Sequence, residues 1–174
     1  MVVQLFIIIV VFSSFVGMGF YIWHGYRSRK VFFENLLLFC NHLSIEISFS
    51  KNTIRKIIDT YGTSYGKNFQ KVLLGYQSLI DQKSDITRDK ITAILGAKLG
   101  FPPLKLKPAE TENIADFFCE LGKHDSPQEH QKIQAKRLAF DTFFGAANHS
   151  FKVTASTYLK IFILMGVGAV ILLL

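Results

Sequence analysis

The chain has 174 residues, of which 49% are hydrophobic and only 19% charged, with a formal net charge of +7 and a positive mean hydropathy. That balance excludes a disordered chain and is unusual for a soluble domain. The apolar excess sits at the two ends: residues 1–26 hold no Asp, Glu, Lys or Arg, and neither do residues 161–174.

The first element is MVVQLFIIIVVFSSFVGMGFYIW, Met1–Trp23. As a helix it is about 35 Å long, enough to cross a hydrocarbon core of about 30 Å. A cleaved signal peptide would carry its positive charge before a shorter apolar run; here Arg27, Arg29 and Lys30 follow the run, so a retained span is expected. Tyr21, Trp23 and Tyr26 fall in the interfacial aromatic belt, and the basic cluster after them places residue 27 onward in the cytoplasm. The last element, residues 153–174, contains the strictly apolar IFILMGVGAVILLL, with Lys152 and Lys160 marking the same side. The expected organisation is therefore a span at 1–26, a cytoplasmic domain at 27–152 and a second span at 153–174, with both termini barely emerging outside. Ser13, Gly17, Gly166 and Ala169 have the small size that lets spans approach one another or a further membrane protein, although glycine is also simply common in spans.

Between the spans the apolar period stays near 3.6, and no stretch alternates long enough for a sheet, so an all-α bundle of about six helices is expected. Leu36, Cys40, Leu43 and Ile47 form its first seam, either continuing the first span or starting afresh. Ile54, Ile57, Ile58 and Tyr61 predict a short second helix closed by Gly62 in a left-handed cap. Phe69, Val72, Leu73, Tyr76, Leu79 and Ile80 predict a third, and Ile91, Ile94, Leu95 and Leu99 a fourth that ends at Gly100. Pro102, Pro103 and Pro108 break the chain before a fifth helix carrying Ile114, Phe117, Phe118 and Leu121, which Gly122 stops.

Ser126, Pro127 and Glu129 supply a capping serine, a first-turn proline and a glutamate three residues after the cap, so a sixth helix is expected to begin there with the glutamate reaching back to the cap. Its apolar positions Ile133, Phe140, Phe144, Ala147 and Phe151 continue without a breaker toward the second span.

Chemistry is sparse. Gly62–Asn68 (GTSYGKN) has a glycine-lysine pair, but only three residues separate its glycines, Asn68 stands where a phosphate loop needs Ser or Thr, and no strand precedes it. A helix stop and a turn explain it better. The five histidines lack the spacing of a helical zinc site, and Cys40 and Cys119 are expected to be buried free thiols, so no metal, no cofactor and no catalytic residue is assigned. An active site assembled only in space would leave no sequence motif, but the reading is that the chain is not an enzyme. Lys132, Lys136 and Arg137 form a basic helix face near Lys123, either a solvated surface or a site for anionic lipid or nucleic-acid phosphate.

Leu121–Ile133 (LGKHDSPQEHQKI) carries a Leu-Gly-x-x-Asp segment leading into a long helix, with Ile133 eight residues after Asp125. This pattern, the span at each end and the first cytoplasmic helix with Glu46-Ile47 (EISFSKNTI) resemble the stage III sporulation protein AB family over nearly the full length. The family commonly has a glutamine four residues after that aspartate and a proline before the second cytoplasmic helix; Glu129 and Thr53 stand here instead. The resemblance implies a platform or adaptor subunit, similar to the cytoplasmic domains of type II secretion and type IV pilus platform proteins, in the complex linking mother cell and forespore. Its implied partners are a secretion-type ATPase, other membrane subunits and the lipid bilayer, with no small-molecule substrate and no nucleic acid. The implied place is the cell membrane, with the central domain on the mother-cell side. The motif makes Leu121, Gly122, Asp125 and Glu129 candidates for partner contact. Glu46, outside the apolar seam and so expected to be exposed, is their companion. Asp125 has an equally open structural role, its charge facing the positive end of the sixth helix.

Overall fold

The structure is a computed structural model that describes residues 2–50, 52–82, 85–97, 104–123 and 126–173. Among them there is no strand, and the chain is a set of six helical rods. The first rod, α1, runs unbroken over 44 residues from Val2 to Ile45 and continues in a π-helical turn, Glu46–Ser50. Nothing interrupts it because the stretch contains no proline, and its apolar character changes from all-round to one-sided without a breaker. Beyond residue 30 the buried apolar side chains are Phe32, Phe33, Leu36, Phe39, Cys40, Leu43 and Ile47, which includes the whole predicted seam.

Four short helices pack around this inner half: α2 (Ile54–Tyr61), α3 (Lys67–Asp81), α4 (Arg88–Gly96) and α5 (Pro108–Glu120). The last rod joins α6 (Ser126–Ser150) through a π-helical turn at Phe151–Ala155 to α7 (Ser156–Leu173). Ile133, Phe140 and Ala147 are buried at intervals of seven, whereas the next buried residue, Ala155, follows after eight. The wider π turn takes up that extra residue and keeps one face of the rod directed at α1. Both ends of the 27–152 segment thus fall inside continuous helix.

The apolar halves of α1 and α7 lie side by side and antiparallel. Gln4 Nε2 donates to the Leu173 carbonyl at 3.2 Å, and Trp23 meets Phe151 with ring centroids 5.5 Å apart. Both rods are long and apolar enough to cross a membrane, and most of their apolar side chains in this region face outward. Of the expected small residues Gly166 is at a close contact and Gly17 is not, its place being taken by Gly19. A Cβ on Gly166 would lie 3.1 Å from the Phe12 ring, and one on Gly19 would lie 3.1 Å from Phe162 Cβ, but Gly17 has nothing within 4 Å.

The core is aromatic. Phe39 stacks on Phe118 at 6.1 Å and meets Phe69 edge-on at 5.7 Å, while Phe117 meets Phe140 at 5.3 Å, so α1, α3, α5 and α6 share one ring cluster. Two predicted ends need correction. Gly62 is right-handed (φ −57°, ψ −33°) and leads directly into a tight 3-10 turn, Gly62–Ser64, because the chain must coil back to bury Tyr65. The described part of α4 ends at Gly96; Leu99, Gly100, Pro102 and Pro103 lie outside the described residues. Pro108 is the first residue of α5 rather than a break before it.

Candidate functional site

The end of the bundle remote from the apolar rods contains most of the candidate partner residues. After α5, Leu121 is buried and Gly122, expected to stop the helix, does so at φ +82°, the left-handed conformation expected at Gly62. A Cβ there would also stand 2.6 Å from Ile54 Cδ1 at the start of α2, so the tip of that side chain would have to shift. Glu129, also buried, accepts the Gly122 N–H on Oε1 at 2.8 Å. This bond fastens the α5–α6 turn to the first turn of α6; the expected cap bonds of Ser126 lie outside the described residues. Glu129 Oε2 is buried with no hydrogen-bond partner among the described residues. Pro127 is exposed; Asp125, His124 and the side chain of Ser126 lie outside the described residues.

Glu46 is at the same end but is not the exposed carboxylate expected from the seam. It is half-buried, accepting Tyr61 O–H at 2.8 Å and Asn52 Nδ2 at 2.7 Å. The bond to Glu46 raises the Tyr61 pKa by favouring the neutral phenol. His42 stacks on Tyr61 at 4.3 Å with Nδ1 2.7 Å from the Tyr65 hydroxyl. His130 lies between Ser44 and Ser48, its ring nitrogens 3.3 and 3.4 Å from their hydroxyls, and Gln134 donates to Ser44 at 2.9 Å. This polar seam joins α1 to α6. Thr53 accepts the Lys56 N–H and caps α2. Among the described residues no three His, Cys, Asp or Glu side chains are grouped to hold a metal.

The basic residues of α6 do not form a purely basic surface. Lys132 Nζ is 3.7 Å from Glu120 Oε2, and Lys132 and Lys136 flank a shallow cleft that also includes Glu129. Arg137 points roughly 140° around the helix from Lys132. Of the thiols, Cys40 is buried and its pKa is pushed up to about 12 by that burial, whereas Cys119 is half-buried rather than buried.

One buried pairing is not legible in the sequence. Arg29, expected in a solvated basic cluster, is only 8% exposed, and Glu110 on α5 only 2%. Arg29 Nε donates to Glu110 Oε2 at 3.2 Å and its Nη2 donates to Oε1, a two-pronged ion pair. Glu110 Oε2 also accepts the Lys107 N–H at 2.9 Å, the back-reach of an N-terminal helix box. The available hint was Lys107-Pro108-Ala109-Glu110, whose proline and glutamate match the positions of Pro127 and Glu129 at the other helix start. The tempting GTSYGKN segment is a turn that docks on α1: Asn35 Oδ1 accepts the Gly66 N–H at 3.0 Å and Asn35 Nδ2 donates to the Val31 carbonyl.

These features define a class: an all-helical protein in which two rods of membrane-spanning length extend directly into a small bundle. The family model of stage III sporulation protein AB matches residues 4–174, and the chain belongs to that family. No curated protein and no solved structure matches it significantly.

Proposed function

We propose that the chain is a non-catalytic platform subunit of the sporulation complex linking mother cell and forespore. In this reading it crosses the cell membrane twice, holds residues 27–152 in the mother-cell cytoplasm, and docks a secretion-type ATPase and other membrane subunits. The observation that carries the reading is an uncovered apolar stripe on α1. Val31, Leu38 and Ile45 are 36%, 45% and 54% exposed at seven-residue spacing, on the face opposite the core. An apolar row of that period on a helix fixed to a span has the form of a seam awaiting another helix. The rigid continuity of α1 supports the same role, because force or position at the bundle passes to the membrane without a hinge.

The test is co-purification of the full-length chain with the other membrane subunits and the ATPase from sporulating cells. Leu38→Glu and Ile45→Glu are expected to abolish recovery of at least one partner while leaving helicity unchanged, since both side chains face away from the core. Full recovery with both variants would exclude this face as the docking surface.

A further inference from the structure

A cavity of about 390 Å³ opens where the apolar rods leave the bundle. Its walls include Tyr21, Ile22, Tyr26 and Arg29 of α1, Tyr158 of α7 and Lys105 from the segment before α5. Three tyrosines, a lysine and an arginine thus line one space, and none of the lining residues is acidic. We infer that this cavity binds the headgroup of an anionic phospholipid. The inference rests on the reading that α1 and α7 cross the membrane.

The chemistry is that of a phosphodiester site. Arg29 spends Nε and Nη2 on Glu110, which fixes its guanidinium plane and leaves Nη1 outside that pair. Glu110 offsets part of the Arg29 charge, so the decisive cation is Lys105, which is exposed and has no ion pair among the described residues. Tyrosine hydroxyls can donate to the remaining phosphate oxygens. The lining offers the ammonium of a zwitterionic headgroup no carboxylate, only tyrosine rings, whereas it offers an anionic headgroup two cations. A lipid fits better than free phosphate because exposed Met18, one turn outward from Tyr21 and Ile22 on the same face of α1, and exposed Ile161, one turn outward from Tyr158 on α7, continue the cavity with apolar surface along which acyl chains would lie. Tyr21 and Tyr26 flank Trp23 at the boundary between the apolar run and the first arginines, the depth at which headgroups reside.

The experiment uses the full-length chain. Reconstituted vesicles are first washed with alkaline carbonate; release of the chain would overturn the spanning reading and this site with it. The embedded protein is then taken into detergent and offered equal phosphatidylglycerol and phosphatidylcholine, with inorganic phosphate as a separate competitor, and bound lipid is read by native mass spectrometry. Phosphatidylglycerol should be retained in preference, and Lys105→Gln should cut that preference about fivefold, the effect of one interfacial cation. Tyr158→Phe should weaken it in the same direction. Lys132→Gln, an equal charge change elsewhere, should leave it unaltered. Arg29 is kept intact because it also holds Glu110. Equal retention of both lipids, insensitivity to Lys105→Gln and Tyr158→Phe, an equal loss with Lys132→Gln, or displacement by inorganic phosphate as effective as by lipid would each overturn the site while leaving the spanning reading in place.

Discussion

Arg29 and Glu110, 81 residues apart, form a buried ion pair that fastens the first turn of α5 to α1 just beyond its apolar half. Removing one partner strands the other as an uncompensated buried charge. Glu110→Leu or Arg29→Met alone should therefore destabilise the protein by about 3–5 kcal/mol, while the two together should be close to neutral. Thermal unfolding followed by circular dichroism in detergent decides it. Additive losses in the double variant would mean that the pair is not energetically coupled.

Gly122 combines a left-handed φ with close approach to Ile54. Gly122→Ala should cost about 1–3 kcal/mol in backbone strain, with further loss from the contact. Ile54→Ala relieves only the contact, so the double variant should be more stable than the sum of the two losses predicts. A midpoint unchanged by Gly122→Ala would show that the turn relaxes freely.

The antiparallel rods meet at Gly19 and Gly166 but not at Gly17 or Gly168. Gly19→Leu and Gly166→Leu should each cost about 1–3 kcal/mol through overpacking, and Gly17→Leu should be nearly silent. Midpoints of the full-length protein in detergent report the contrast; equal effects at 17 and 19 would refute this register.

Burial keeps the Cys40 thiol neutral, with a folded pKa of about 12 against an ordinary value of 9.0. Because the folded value is the higher one, the stabilisation from the neutral thiol is fully present below about pH 9 and is lost as pH rises toward about 12. The bond between Tyr61 and Glu46 acts in the same alkaline direction. Unfolding midpoints should therefore fall above about pH 9, as buried thiol and phenol ionise. In native protein at neutral pH, a maleimide should label Cys119 slowly and Cys40 only after denaturation. Rapid labelling of Cys40 in the Cys119→Ser variant would contradict its burial.

What the sequence alone determined was local. The 3.6-residue apolar period marks every helix of the bundle, the uncharged runs mark the two rods, and the stop at Gly122 and the start at Ser126 follow from backbone preference and capping within a few residues of each site. The tertiary structure decided which polar groups are free and which are already engaged. Arg29 reads as a flanking charge until α5 brings Glu110 against it, Glu46 reads as exposed until α2 turns Tyr61 toward it, and the expected Gly17 contact falls instead to Gly19 because the rotation of α1 against α7 sets which glycine is inside. Lys105 joins Tyr21 and Tyr158 around one cavity only because the rods and the segment before α5 converge there. Helix period and cap chemistry are properties of neighbouring residues and survive in isolation. Ion pairing, hydrogen bonding to a carboxylate and close approach of glycine depend on partners distant in sequence, and packing of the helices alone selects them.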